Sequence, residues 1–169
     1  MTYTPATQDQ LLAIRVNAGI DDLANSEKFA AAEPDMVEAI VAGIGEFAAG
    51  EWAPLNRIGD IEGAKLENGV VRLPDGFAEA YAHYVEQGWN AISGPVGFGG
   101  QGLPFTLSCN VLENLGTANM AFNLLPMLSV GAIEALEGKI KWASLYADVL
   151  KKAANPFKTV QLQVRGSLE

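Results

Sequence analysis

Between Gly88 and Gly102 the chain sets glycine at positions 88, 94, 97, 99, 100 and 102 and proline at 95, with Pro104 just beyond. Glycine weakens regular structure through its backbone entropy, and proline lacks an N–H, so neither a helix nor a central strand runs through such a stretch. The chain is therefore divided into two runs that must fold separately and pack on each other. Gly97, Gly99 and Gly102 also have the spacing of a dinucleotide-binding loop. That loop follows a buried strand and bares N–H groups at a helix N-terminus, with an acidic residue about twenty positions later. Here the segment before it, residues 89–95, is a poor strand because Pro95 cannot donate to a ladder. The next acid, Glu113, comes too early, and the chain has no β-α-β alternation. Spacing without that context is a weak signal. The stretch reads as a tight connection between two helices. Gly97, Gly99, Gly100 and Gly102 serve backbone geometry, where a Cβ would clash or φ must be positive.

On both sides of this connection apolar residues recur at helical steps. Leu11, Leu12, Ile14, Val16, Ile20 and Leu23 predict a helix broken at Gly19. Pro34 opens the first strong helix, since its missing N–H would be unpaired at the first helical position anyway. Met36, Val37, Ile40, Val41, Ile44, Phe47 and Ala48 form its stripe, and Pro54 is expected to end it. Gly43, Gly45 and Gly50 are expected to let another helix approach. Leu66 to Leu73, with Asn68-Gly69 at its centre, is a small hairpin or a plain loop. Pro74-Asp75-Gly76 opens a helix carrying Phe77, Ala80, Tyr81, Tyr84 and Val85, which stops near Gly88. After the connection, Pro104 starts a helix with Leu107, Val111 and Leu115 as its stripe. Met120 to Leu136 makes another, which Pro126 kinks or restarts. The fold class is all-α: an antiparallel helical bundle with short loops.

Charge divides the chain a second time. Residues 1–137 hold 5 Lys/Arg against 18 Asp/Glu, a charge of −13; residues 138–169 hold 6 against 2, a charge of +4; together they give the chain's −9. The last part carries one further amphipathic helix (Ile140, Trp142, Leu145, Val149, Leu150), then alternating Val160, Leu162 and Val164. Its basic face also fits a solvated helix surface. An acidic chain is a poor ligand for nucleic acid or for anionic membranes. One cysteine, Cys109, excludes an internal disulfide and fits a reducing, cytoplasmic setting. With one histidine it cannot make an ordinary zinc site, so no metal is expected. No run of eighteen apolar residues occurs, and Met1 to Pro5 lacks the marks of a secretory signal.

Residues 77–81, Phe-Ala-Glu-Ala-Tyr, lead into Gly88-Trp89-Asn90-Ala91-Ile92 and then Gly97-Phe98-Gly99-Gly100-Gln101-Gly102-Leu103-Pro104. With Glu113 to Phe122 and Leu128 to Ile133 following in order, this resembles the N-terminal helical domain of acyl-CoA dehydrogenases. Phe98 stands where the family usually has Tyr. Tyr3-Thr4-Pro5, Phe47-Ala48-Ala49, Ala53 to Arg57, Gly59-Asp60 and Gly63 resemble its longer bacterial members. The resemblance covers residues 3–137. The family's later motifs are absent, which sets residues 138–169 apart as a divergent basic tail of another origin.

The resemblance implies an FAD-dependent α,β-desaturation of an acyl-CoA thioester by the full-length protein. The flavin takes a hydride from the β-carbon while a glutamate in a later helical domain removes the α-proton. The chain holds neither that glutamate nor most of the FAD contacts. No catalytic or cofactor-binding residue is assigned in it, and it is expected to retain no FAD and to be inactive alone. The resemblance places Phe122, Leu125 and Pro126 nearest the acyl tail, as a pocket wall; the same stripe equally fits ordinary core packing. Glu113 reads as a helix-surface carboxylate, His83 as part of a solvated face, and Cys109 as a small packed side chain. The other reading is a non-catalytic helical module that self-associates as a homo-oligomer through exposed apolar faces.

Overall fold

The computed structural model describes residues 3–137. The expectations for residues 140–150 and 160–164 lie outside the described residues. The first helical run is broken where the sequence places the break. Helix α1 is Thr7–Val16 and the short α2 is Ile20–Leu23, with Gly19 between them at φ 59°. Helix α3, Pro34–Phe47, begins at its proline and buries Val37, Ile40, Val41, Ile44 and Phe47.

Pro54 does not end this run. Residues Ala48–Trp52 form one wide turn, in which the Ala53 N–H reaches back to the Ala48 carbonyl, and helix α4, Ala53–Glu62, follows at once. Pro54 thus falls in the first turn of α4, where a missing N–H is tolerated. The wide turn also changes the direction in which side chains point, and it carries Trp52 fully inside.

Strands β1, Lys65–Glu67, and β2, Val70–Arg72, make the hairpin, with Leu66 opposite Val71. Asn68 and Gly69 both take positive φ, the two-residue turn that suits the twist of a hairpin. Helix α5, Phe77–Glu86, buries Phe77, Ala80, Tyr81 and Tyr84. Helix α6, Phe105–Ala118, follows Pro104 and buries Leu107, Val111 and Leu115. Asn119 is extended, and helix α7, Met120–Glu137, then passes through Pro126 as a single helix. These elements share one core, with Trp52, Tyr84, Ile44, Leu107 and Leu115 among its largest buried side chains. Of the three small residues expected to admit a neighbour, Gly43 seats the Trp89 ring and Gly45 faces Pro5, whereas nothing approaches Gly50. The close neighbours are an aromatic side chain and the N-terminal segment, not a helix.

Candidate functional site

Two places in the bundle bear on function: the glycine connection and α7. The connection consists of two single 3-10 turns, Trp89–Ala91 and Val96–Phe98, bound to each other through the backbone. Gln101 donates to the Ala91 carbonyl (2.8 Å), Gly102 to Gly94 (2.9 Å) and Leu103 to Ile92 (3.0 Å). Phe98 and Gly100 donate to Pro95, and Gly99 to Val96. Every backbone N–H from Phe98 to Leu103 is therefore spent inside the segment. A phosphate cradle needs such groups free and convergent, so these residues do not fit the pyrophosphate of FAD or of any dinucleotide. The glycines explain themselves locally. Gly99 and Gly102 take φ of 90° and 66°. A Cβ on Gly100 would overlap the Gly94 backbone. Gly97 is the exception, with negative φ and nothing near a Cβ, so neither reason applies to it.

Helix α7 is set in place from both ends. At its start the Asn119 side-chain oxygen accepts the Phe122 N–H (3.1 Å), which caps the helix, while the same amide donates to the Trp52 carbonyl (3.4 Å). Asn123 donates to the Leu112 carbonyl of α6 (3.1 Å). Near the other end Ser108 donates to Ser93 (2.9 Å), and Ser93 reaches the Glu134 carboxylate at 3.4 Å. These contacts tie α7 antiparallel to α6 and hold it beside the glycine connection.

The inner face of α7 is aromatic and tightly packed. Phe122 stacks on Trp52 with ring centres 3.9 Å apart and planes 10° from parallel, and it lies 4.7 Å from Phe77 and 6.2 Å from Tyr81. Pro126 is fully buried too, and Leu125 lies half-buried at the edge of the core. Burial pushes the Tyr81 hydroxyl up to about 12, with a hydrogen bond to Ser129 pulling the other way, and raises Tyr84 further still. Both phenols stay neutral at any ordinary pH.

The outer face is the opposite. Met120, Leu124, Met127 and Leu128 are 64%, 50%, 45% and 60% exposed, at steps that make one stripe. No charged residue occurs from Asn114 to Ile133. Exposed apolar stripes occur at interaction surfaces and along ligand grooves. Periodicity does not separate the two faces, because α7 is apolar almost all round; only the packing against Trp52 and α6 does.

The remaining candidates do not come together in one site. Glu113 is exposed on α6. His83 lies 3.2 Å from Glu51 on the surface. Cys109 is exposed rather than packed, because α6 turns that position away from its Leu107–Val111–Leu115 stripe. Partial burial, then the Glu134 charge, pushes its thiol up, away from the reactive thiolate. Among the described residues no cluster could hold a metal ion, and no helix is long and apolar enough to cross a membrane.

The sequence of this helical chain matches a segment of a longer acyl-CoA dehydrogenase. Over 152 residues the chain is 37% identical to 3-methylmercaptopropionyl-CoA dehydrogenase of Ruegeria pomeroyi, covering 89% of this chain and 26% of that protein. The chain thus spans about a quarter of the length of that relative. Since 89% of 169 residues is about 150, the matched stretch runs past residue 137 wherever it starts. Residues 112–169 match the family described as phage tail tube protein FII, about a third of the chain. That match starts inside α6 and overlaps the first.

Proposed function

We propose that the chain is the N-terminal helical part of an FAD-dependent acyl-CoA dehydrogenase, and that it contributes a wall of the acyl pocket in the full-length enzyme. The similarity across most of the chain carries this reading, and the uncovered stripe on α7 supports it. Leu125, at the boundary of the core, serves as wall together with its outward neighbours Leu124 and Leu128. Phe122 and Pro126 act behind them, fixing the position of the helix by packing on Trp52. FAD, when bound, accepts the substrate's hydride; its contacts come from the part of the enzyme this chain does not span. The chain alone is colourless and inactive, and its setting is cytoplasmic. Residues 1–137 are the dehydrogenase-like domain. The basic tail begins at 138 by charge, and a segment of separate origin begins no earlier than about residue 150, where the dehydrogenase similarity allows it.

Two measurements test this. Purified full chain should show no flavin absorbance; a flavin band at near-equal stoichiometry would overturn the incomplete site. A hybrid carrying residues 3–137 in place of the matching segment of the Ruegeria pomeroyi enzyme should hold flavin and reduce an electron acceptor with its acyl-CoA. A hybrid that folds and binds flavin without turnover would sink the pocket-wall role. The exposed stripe also supports a second reading, a non-catalytic module that self-associates. Light scattering decides for that one if the full chain is a defined oligomer.

A further inference from the structure

We propose that the hairpin is a self-pairing edge: β1 of one copy of this chain pairs antiparallel with β1 of a second copy, about a two-fold axis at Leu66. Among the described residues the sheet holds β1 and β2 alone, so each strand leaves one edge open, and all six of their residues are exposed. A two-stranded ribbon is marginal in water unless further strands or a helix join it. The two-residue turn at Asn68-Gly69 makes Glu67 and Val70 a hydrogen-bonded pair. Pairs alternate along an antiparallel ladder, so the Leu66–Val71 pair is not hydrogen-bonded, and the Leu66 N–H and carbonyl face the open edge. Those are the groups a second strand needs. Leu66 and Val71 share one face of the ribbon, 74% and 64% exposed, and Leu73 continues it at 55%.

Charge selects a second copy as the occupant. With Leu66 on the axis, Lys65 lies opposite the partner's Glu67 and Glu67 opposite the partner's Lys65, so Lys-Leu-Glu is complementary to itself. Within one copy Lys65 instead faces Arg72, a like-charge pair, while Arg72 reaches Glu67 at 3.3 Å. Lys65 has no ion-pair partner among the described residues. The partner's Glu67 supplies one. Strand β2 lacks this property, because pairing centred on Val71 sets Val70 against the partner's Arg72. The hairpin holds two positive charges against one negative, on a body of −13 whose repulsion is screened beyond about 8 Å at physiological salt. The joined sheet has four strands, with Leu66 and Val71 of both copies on its apolar face. The pairing uses no residue of α7 and leaves Leu124, Leu125 and Leu128 free as the acyl wall. It rests on self-association, the second reading of the chain, and gives it a surface other than α7.

The test is sedimentation equilibrium of the full chain up to about 1 mM, since a contact this small binds weakly. A monomer–dimer equilibrium is expected. Lys65→Glu and Glu67→Lys each set like charges against each other across the axis, and each should weaken dimerisation about tenfold or more. Both positions are exposed, so the helical dichroism of the variants should match the parent's. An equimolar mixture of the two variants brings opposite charges back together, as does Lys65→Glu with Glu67→Lys in one chain, and both should dimerise like the parent. Single variants that dimerise as tightly as the parent, or a failure of either restoration, overturn the pairing and leave self-association standing. A parent chain that is monomeric throughout overturns both.

Discussion

Phe122→Ala separates a core role from a pocket role for the first turns of α7. In the structure Phe122 is 6% exposed and touches three other rings, stacked on Trp52 and tilted against Phe77 and Tyr81. Removing a buried phenyl loses its transfer energy and leaves a cavity, together about 3–5 kcal/mol. Small domains hold only about 5–15 kcal/mol in all. With a urea slope of about 2 kcal/mol per molar, the unfolding midpoint should fall by roughly 1.5–2.5 M. Leu124→Ala, two residues on at the outer face and half exposed, should cost no more than about 1 kcal/mol. The assay is equilibrium urea unfolding of the full chain and both variants, followed by tryptophan fluorescence. A loss under about 1 kcal/mol for Phe122→Ala would refute the packing argument. So would an equal loss for Leu124→Ala.

Gly100→Ala should destabilise by at least about 1–3 kcal/mol, because its Cβ meets the Gly94 backbone, which cannot move without breaking the connection. Gly97→Ala, with open space around it, should stay within about 0.5 kcal/mol, and thermal unfolding compares the two. Asn119→Ala removes the cap of α7 and a contact to Trp52, and should cost about 0.5–2 kcal/mol with lost amide protection in the first turn of α7. Stability should also fall in alkali. Tyr81 and Tyr84 have folded values above the unfolded one, so they favour folding fully below pH 10 and lose that contribution as pH rises through about 12 for Tyr81. Unfolding titrations from pH 8 to 11 should show this decline, and Tyr84→Phe should reduce it; a variant with the same alkaline slope would contradict the burial of that hydroxyl.

Much of the backbone was legible in the residues because the governing effects are local. Gly19, Pro34, Gly88 and Pro104 mark element ends through their own φ limits and missing donors, and Asn68-Gly69 makes its turn by itself. Pro54 misled for the same reason. A proline reads as a stop, and nothing in its neighbours announces the wide turn at Ala48–Trp52 that carries the chain past it into α4.

Residue pattern was enough to show that residues 3–137 are helical and acidic, that the Gly88–Gly102 stretch joins two helical runs, and which family the motifs resemble. The remaining features follow from contacts that the residue pattern does not show. Whether the glycine N–H groups are free for a phosphate depends on partners several residues away, and each from Phe98 to Leu103 has one. Whether Phe122 or Leu124 faces outward depends on what lies across from an almost uniformly apolar helix. There Trp52, delivered by an unforeseen turn, takes Phe122 into the core and leaves Leu124 and Leu128 at the surface. Periodicity reports that a helix has an apolar side only when it also has a polar one, and α7 has almost none.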